Sequence, residues 1–458
     1  MKRIALVLLA IPCLTQGIAA QGTPVALASM RDTVKRVSID SDTSFHPIDL
    51  QHAIQLAQRN APTAVQARGQ IKVANAEVKQ AYAAFLPNAS ITAGQTQQTG
   101  DRIGQTGTIV PYNPPHPWSY STGLRASVRL FDGGQRFYQI SQSKADVSSA
   151  EANDVAQQFN LALQVKTQYY GILAARESEV AALAQLDQAQ ADMQAASARV
   201  RAGAATLSDS LRTVIEVGNA RLALLTAQNN LKVASAALTR LVGSPYLLTA
   251  ANSDTLELPS ATIDSLALVA FAQQGPAVRQ ATAQVTSANA AVRTAKTVYL
   301  PTLDLNFTRG GSGYAPYGTG GDSSRLYPYV NTFSFSLSYP LFNNYQREFQ
   351  LTQAKVNQVN ADAMLRDARL AAQQNLTQQI ASLRAAQEQI NIQQASIASA
   401  EEDLRVQQQR YALGASTLLD LLTSQTTLNQ QRAALIQARQ SYRIARAQIE
   451  AIIGRDLQ

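Results

Sequence analysis

Proline placement limits what this chain can fold into more than any other feature. All 16 prolines avoid residues 118–244 and 341–458. An interior proline costs a helix about 3 kcal/mol, so proline-free spans of this length point to continuous helix. Glycine is excluded almost as strictly: between Tyr345 and Ala451 only Gly414 occurs. A helix from Gln346 to Leu413 would extend about 100 Å at 1.5 Å per residue.

The same plan occurs twice. Leu130, Phe131, Gln135 and Arg136 return as Leu341, Phe342, Gln346 and Arg347, each 211 residues later, and Gly243 returns as Gly454. Upstream the offset is 214: Pro62 and Pro87 match Pro276 and Pro301. The chain therefore reads as a tandem duplication, with repeats at 48–243 and 263–454 joined by a link at 244–262. Residues 21–47 precede the repeats and 455–458 form a tail.

Each long span carries apolar residues at sevens. Leu376, Leu383, Ile390, Ile397, Leu404 and Tyr411 form one series, and Leu421, Leu428, Leu435, Tyr442 and Ile449 another. The first copy has Val165, Ile172, Leu186, Met193 and Val200, interrupted at Glu179, then Val217, Leu224, Leu231 and Leu238. A seven-residue period keeps an apolar seam facing one neighbour along a left-handed supercoil. Abundant glutamine on the other faces suggests wetted surface.

Two short turns divide these spans. Gly203 and Gly414 sit where each helix must stop and suit a left-handed C-cap. Thr206 and Thr417 follow at N-cap positions, with Asp209 and Asp420 three residues on, the capping-box spacing. The expectation is two long antiparallel helical hairpins, 135–243 and 346–454.

Between the helices the period changes to two. "WSYSTGLRASVRLF" sets Tyr120, Leu124, Ala126, Val128 and Leu130 against Ser119, Ser121, Arg125, Ser127 and Arg129. "TFSFSLSYPLF" repeats the alternation, and shorter strands, "NASITAG" and "LDLNFT", precede each. These are β-hairpins at 87–131 and 300–342 with long loops. Their strands reach the ~9–11 residues that cross a bilayer obliquely. An open four-stranded sheet leaves edge groups unsatisfied in lipid, so several chains must share one barrel: two, three or four copies would give 8, 12 or 16 strands.

The N-terminus favours export. Lys2 and Arg3 precede the apolar run "IALVLLAIPCL", and Gly17, Ala19 and Ala20 supply a cleavage site, so 1–20 reads as a signal peptide. The only cysteine, Cys13, lies inside it, so the mature chain holds no disulfide. The net charge of +8 comes from arginines and lysines scattered singly among Gln and Ala, which argues against nucleic acid. His46, His52 and His116 form no metal cluster, and no thiol nucleophile or phosphate loop appears. Neither an enzyme nor a cofactor is expected.

The order of these parts, with the "LFDGGQR" strand exit and an R-x(3)-G-x(5)-D helical turn, resembles the TolC-like outer-membrane efflux proteins. That resemblance implies an α+β membrane protein: long antiparallel coiled-coil helices forming an α-barrel, plus four transmembrane strands per chain in a trimeric 12-stranded β-barrel. It implies a passive exit duct of a tripartite efflux or type I secretion system. Its partners would be outer-membrane lipid, a periplasmic adaptor and an inner-membrane pump of the RND, ABC or a similar class. Gly203, Ala204, Ala205, Thr206 and Leu207, with Gly414, Ala415, Ser416, Thr417 and Leu418, would be periplasmic tips that meet the adaptor. Asp209, Asp420 and Tyr411 match residues of the family's periplasmic gate. Ser416 and Thr423 stand where the best-known member has an arginine and an acid. Arg125 and Arg129 would face the barrel lumen, and 244–262 with the chain ends would form an equatorial collar. A periplasmic coiled-coil adaptor is the alternative; it would not need two alternating strand pairs. The transported substrate is not written in the sequence.

Overall fold

The computed structural model describes residues 45–97, 99–103, 107–112, 118–251, 265–314 and 329–457. The signal peptide, most of 21–47, His116 and most of the link lie outside them. In chain order the elements are β1 (His46–Ile48), α1 (Leu50–Asn60), α2 (Pro62–Ala83), β2 (Asn88–Gln97), β3 (Gly100–Ile103), β4 (Ile109–Tyr112), β5 (Trp118–Phe131), α3 (Gln135–Arg201) and α4 (Leu207–Val242). Then follow β6 (Leu248–Ala250), α5 (Ser265–Ala272), α6 (Pro276–Lys296), β7 (Thr302–Tyr314), β8 (Val330–Ser338), α7 (Gln346–Ala412) and α8 (Leu418–Ile453).

The duplication is visible in the lengths. Helices α3 and α7 each have 67 residues, and α4 and α8 each have 36. At 1.5 Å per residue the longer pair extend about 100 Å. Pro62 and Pro276 open α2 and α6 at N1, where the missing N–H costs nothing.

Toward the tips α4, α3, α8 and α7 pack in that order, and toward the sheet α2, α3, α6 and α7 do, so α2 and α4 flank the layer on one side and α7 on the other. Two cores sit about midway along the long helices. Val165, Tyr169, Ile172, Leu238 and Val242 close on α1, β1 and β6, while Leu376, Leu383, Ile390, Tyr442 and Ile449 close on α5. The second core follows the heptads of the sequence. Toward the tip of the first hairpin the seam differs: Ala182, Ala189 and Ala196 of α3 and Thr213, Ala220 and Ala227 of α4 are buried at sevens. Val217 and Leu224 are only half-buried beside them. Small side chains let the two backbones approach, and the larger residues then flank the contact.

Within the second repeat the N-terminus of α6 abuts the C-terminus of α8. A Cβ added to Gly275 would lie 2.1 Å from the Ile452 carbonyl oxygen, so only glycine permits this approach. Strands β1 and β6 pair in parallel, a contact that two three-residue stretches did not announce in the sequence.

The main sheet is antiparallel with order β2-β5-β7-β8, so β2 and β8 are open edges. Strands β3 and β4 form a separate small hairpin within the first loop. A register shift between Arg129 and Phe131 corrects one expectation. Phe131, not Leu130, pairs with Leu303 and continues the apolar face, because the extra residue of the bulge reverses the alternation beyond it.

Candidate functional site

The two turns fold as their sequences require. Gly203 and Gly414 adopt φ of 74° and 76°, and Ala204 and Ala415 each donate a backbone hydrogen bond to the Arg199 and Arg410 carbonyls at 2.8 Å. That is a Schellman C-cap. Thr206 and Asp209 then form a complete capping box, as do Thr417 and Asp420. The Thr417 N–H donates to Asp420 Oδ2 at 2.9 Å, and the Asp420 N–H to Thr417 Oγ1 at 3.3 Å. Hydrogen bonds from the Thr417 backbone and then its hydroxyl hold the Asp420 carboxyl below the ordinary aspartate range.

Tyr411 lies at the same end. The Arg199 guanidinium sits 4.5 Å from the Tyr411 ring centroid and its Nη1 donates to the Tyr411 carbonyl at 2.8 Å. Arg199 thereby ties the end of α3 to the end of α7. Lower on α3, Gln425 of α8 donates to Asp192 at 2.6 Å. The sequence signalled Tyr411; it gave no sign that Arg199 would cover it.

At the opposite ends of the long helices, each strand exit is stapled by the arginine of the repeated motif. Arg136 donates to the Leu130 carbonyl and stacks 4.5 Å from Phe85; Arg347 donates to the Pro340 and Leu341 carbonyls and lies 5.2 Å from Tyr299. The left-handed bend before α3 uses Gly133 and Gly134. In the second copy Asn344 and Tyr345 take those positions, with φ of 55° and 60°. A left-handed tyrosine is strained. Tyr345 remains exposed there and stacks edge-on against Phe342 at 5.6 Å.

Register divides the sheet into two faces. One carries Ile91, Leu124, Ala126, Val128, Leu303, Leu305, Phe307, Phe333, Phe335 and Leu337; the other carries Ser90, Arg125, Ser127, Arg129, Asp304, Asn306, Thr308, Ser334 and Ser336. Arg125 and Arg129 fall together on the polar face. Arg129 Nε is paired with Asp304 Oδ1 at 2.9 Å, both groups being open to water. The apolar face is bare: Phe333, Phe335 and Leu337 are about 70% exposed, at 69%, 71% and 71%. Apolar residues uncovered at that density, on a regular sheet with open edges, require a non-aqueous neighbour.

A family model described as "Outer membrane efflux protein" matches residues 53–244 and 268–455. The chain belongs to that family. Protein CyaE of Bordetella pertussis is 28% identical over 388 residues, covering 82% of this chain and 78% of that protein. Outer membrane protein TolC of Escherichia coli is 24% identical over 416 residues, covering 89% and 82%. The outer membrane protein VceC of Vibrio cholerae shares the fold, with a TM-score of 0.71 at 20% identity over 89% of this chain and 97% of that one. As an outer membrane efflux protein, this chain is a non-catalytic channel protein. Its sheet belongs in the outer membrane and its long helices in the periplasm. Among the described residues no helix is long and apolar enough to cross a membrane.

One cluster that the sequence did not reveal belongs to the periplasmic body of this efflux protein. Lys166 of α3 donates to Glu450 of α8 at 2.7 Å and to Asp456 at 3.2 Å. Glu450 also accepts from Arg446 Nε and from the Leu457 N–H, both at 3.2 Å, and Arg446 reaches the Leu457 carbonyl. Burial pulls the Lys166 ammonium down, but its hydrogen bonds and attraction to Glu450 and Asp456 outweigh that and leave it above the ordinary lysine range. The cluster anchors the segment beyond Gly454 against the junction of the two repeats. No periodicity or motif marks these residues, which lie 284 positions apart.

Proposed function

We propose that three copies of this chain close into one passive duct across the outer membrane and periplasm, driven by an inner-membrane pump through a periplasmic adaptor. The observation that carries this reading is incompleteness in both layers. The sheet ends in the open edges of β2 and β8, and the helical layer ends in α2 and α4 on one side and α7 on the other. Both flanks expose apolar side chains, with Val65 and Val73 on α2 and Leu211, Ile215 and Leu222 on α4 on one side, and Val356, Val359 and Met364 on α7 on the other. A neighbouring copy that adds strand to strand and helix to helix would cover both sets, and three copies give a 12-stranded barrel within the range of closed membrane barrels. Arg125 and Arg129 would then line the lumen, and the repeats 48–243 and 263–454 would each supply half of a protomer's wall.

The turns 203–207 and 414–418 are the adaptor contacts in this reading. Their exposed Ala204, Leu207 and Ala415 offer small and apolar contacts at the far end of the duct. The gate would lie there too: Asp209 and Asp420 keep their capping bonds, and Tyr411, held by Arg199, sets the spacing between the two hairpins of a protomer. Cysteines introduced at Ala204 and Ala415 provide the test. Crosslinking in intact cells is expected to capture a periplasmic coiled-coil protein, whose pump names the transport class. Capture of no envelope protein from either position, with the channel correctly assembled, would contradict the docking assignment.

A further inference from the structure

Among the described residues the apolar face of the sheet carries one cation. Arg309 of β7 pairs in register with Leu124 of β5 and Asn331 of β8, so it shares the face of Phe307, Phe333 and Leu337. It is exposed, and no ion pair to it is found among the described residues. Tyr329 reaches across β7 so that its hydroxyl meets Thr122 Oγ1 at 3.3 Å, and the Arg309 guanidinium lies 5.3 Å from the Tyr329 ring. Thr122 pairs with Gly311, whose missing side chain leaves that path open.

The level of this group follows from the strand geometry. Tyr329 and Tyr339 bracket β8 on the same face, ten positions apart, and both are about half-exposed. At about 3.3 Å per residue and a tilt of about 40° they stand roughly 25 Å apart along the membrane normal, the usual height of the lipid-facing band between aromatic girdles. Tyr339 adjoins the periplasmic helices, with Phe342 and Tyr345 just beyond it, so Tyr329 marks the outer girdle. Arg309 sits one row inside that girdle. An arginine is costly at the bilayer midplane and nearly free at its boundary, where a long side chain turns its charge toward the headgroups.

We propose that Arg309, with Tyr329 and Thr122, binds a phosphate group of an outer-leaflet lipid. The guanidinium supplies paired N–H donors in the geometry that phosphate oxygens accept, and the tyrosine ring and the two hydroxyls hold it against the barrel wall. Three copies would place three such sites around the barrel. This site rests on the proposed membrane-spanning assembly.

The assembled protein, purified in detergent, is titrated with diphosphoryl lipid A and followed by native mass spectrometry, against the same lipid stripped of phosphate. Binding of diphosphoryl lipid A should weaken roughly tenfold in Arg309→Gln, and less in Arg309→Lys, while the stripped lipid binds wild type and variants alike. Equal binding of diphosphoryl lipid A by wild type and Arg309→Gln would overturn the site. So would an equal loss for both lipids, which would indicate apolar packing alone. A protein that assembles and enters membranes but shows either result defeats only the lipid site; one that stays monomeric and water-soluble defeats the channel reading itself.

Discussion

Breaking the Lys166–Glu450 pair tests how the two repeats are held together. Each side chain is only 11% exposed and the charged atoms lie 2.7 Å apart. Removing one partner of a fully buried pair costs about 3–5 kcal/mol, because the other charge is stranded. Here the stranded charge keeps a second contact, Asp456 for Lys166 and Arg446 for Glu450, each at 3.2 Å. The loss for Lys166→Met or Glu450→Met is therefore placed lower, at about 2 kcal/mol. Replacing both partners at once leaves no stranded charge and should recover most of that loss, since well-packed apolar pairs often substitute for buried ions. The assay is the heat-dissociation midpoint of the detergent-solubilised assembly, run as a double-mutant cycle. The singles should fall by several degrees and the double by less than either. The pH dependence has a definite sign. Because the folded Lys166 pKa is raised, the pair's contribution is complete below the ordinary lysine value of about 10.4 and declines as pH rises through the folded value. Wild type should lose stability in that alkaline window, and Lys166→Met should not share the loss. Additive singles, or singles indistinguishable from wild type, would refute the reasoning.

Three further outcomes are expected. Gly275→Ala should destabilise the periplasmic body by about 1–3 kcal/mol, because its Cβ would meet the Ile452 carbonyl; a midpoint equal to wild type would contradict the close approach. Protection of the 414–418 amides from hydrogen exchange, taken relative to the intrinsic rate at each pH, should hold from neutral pH down to about pH 4 and fall below it. The folded Asp420 pKa is lowered, so its capping contribution is present above the unfolded value and lost as pH falls through the folded one; loosening already at pH 6 would argue against the box. Arg199→Ala should raise single-channel conductance in planar bilayers by freeing Tyr411, and an unchanged conductance would show that the brace does not constrain the tips.

Much of the architecture was legible because it depends on exclusion and period. A proline-free, nearly glycine-free span can be one helix over about 100 Å, and the 211-residue offset fixes two copies of it. The glycine turns and capping boxes were legible residue by residue, since their chemistry is local. Strand alternation gave both hairpins but misplaced Leu130, because a bulge leaves no mark in a binary pattern. The repeated Gln-Arg after each strand was legible as a repeat; its work, stapling a strand-end carbonyl beneath an aromatic ring, needed the fold. Arg199, Lys166 and Glu450 were not legible, because each partner lies more than 200 residues away and a single charge among glutamines looks like surface. The β1–β6 joint was missed for lack of length: three residues per strand carry no alternation to read.

The central claim, that one chain is an arc of a wall completed by its neighbours, is tested most directly by the mass of the protein extracted from outer membranes in mild detergent. Native mass spectrometry should give three times the mature chain mass, falling to one on heating. A single chain at all concentrations, stable in water once detergent is removed, would contradict it.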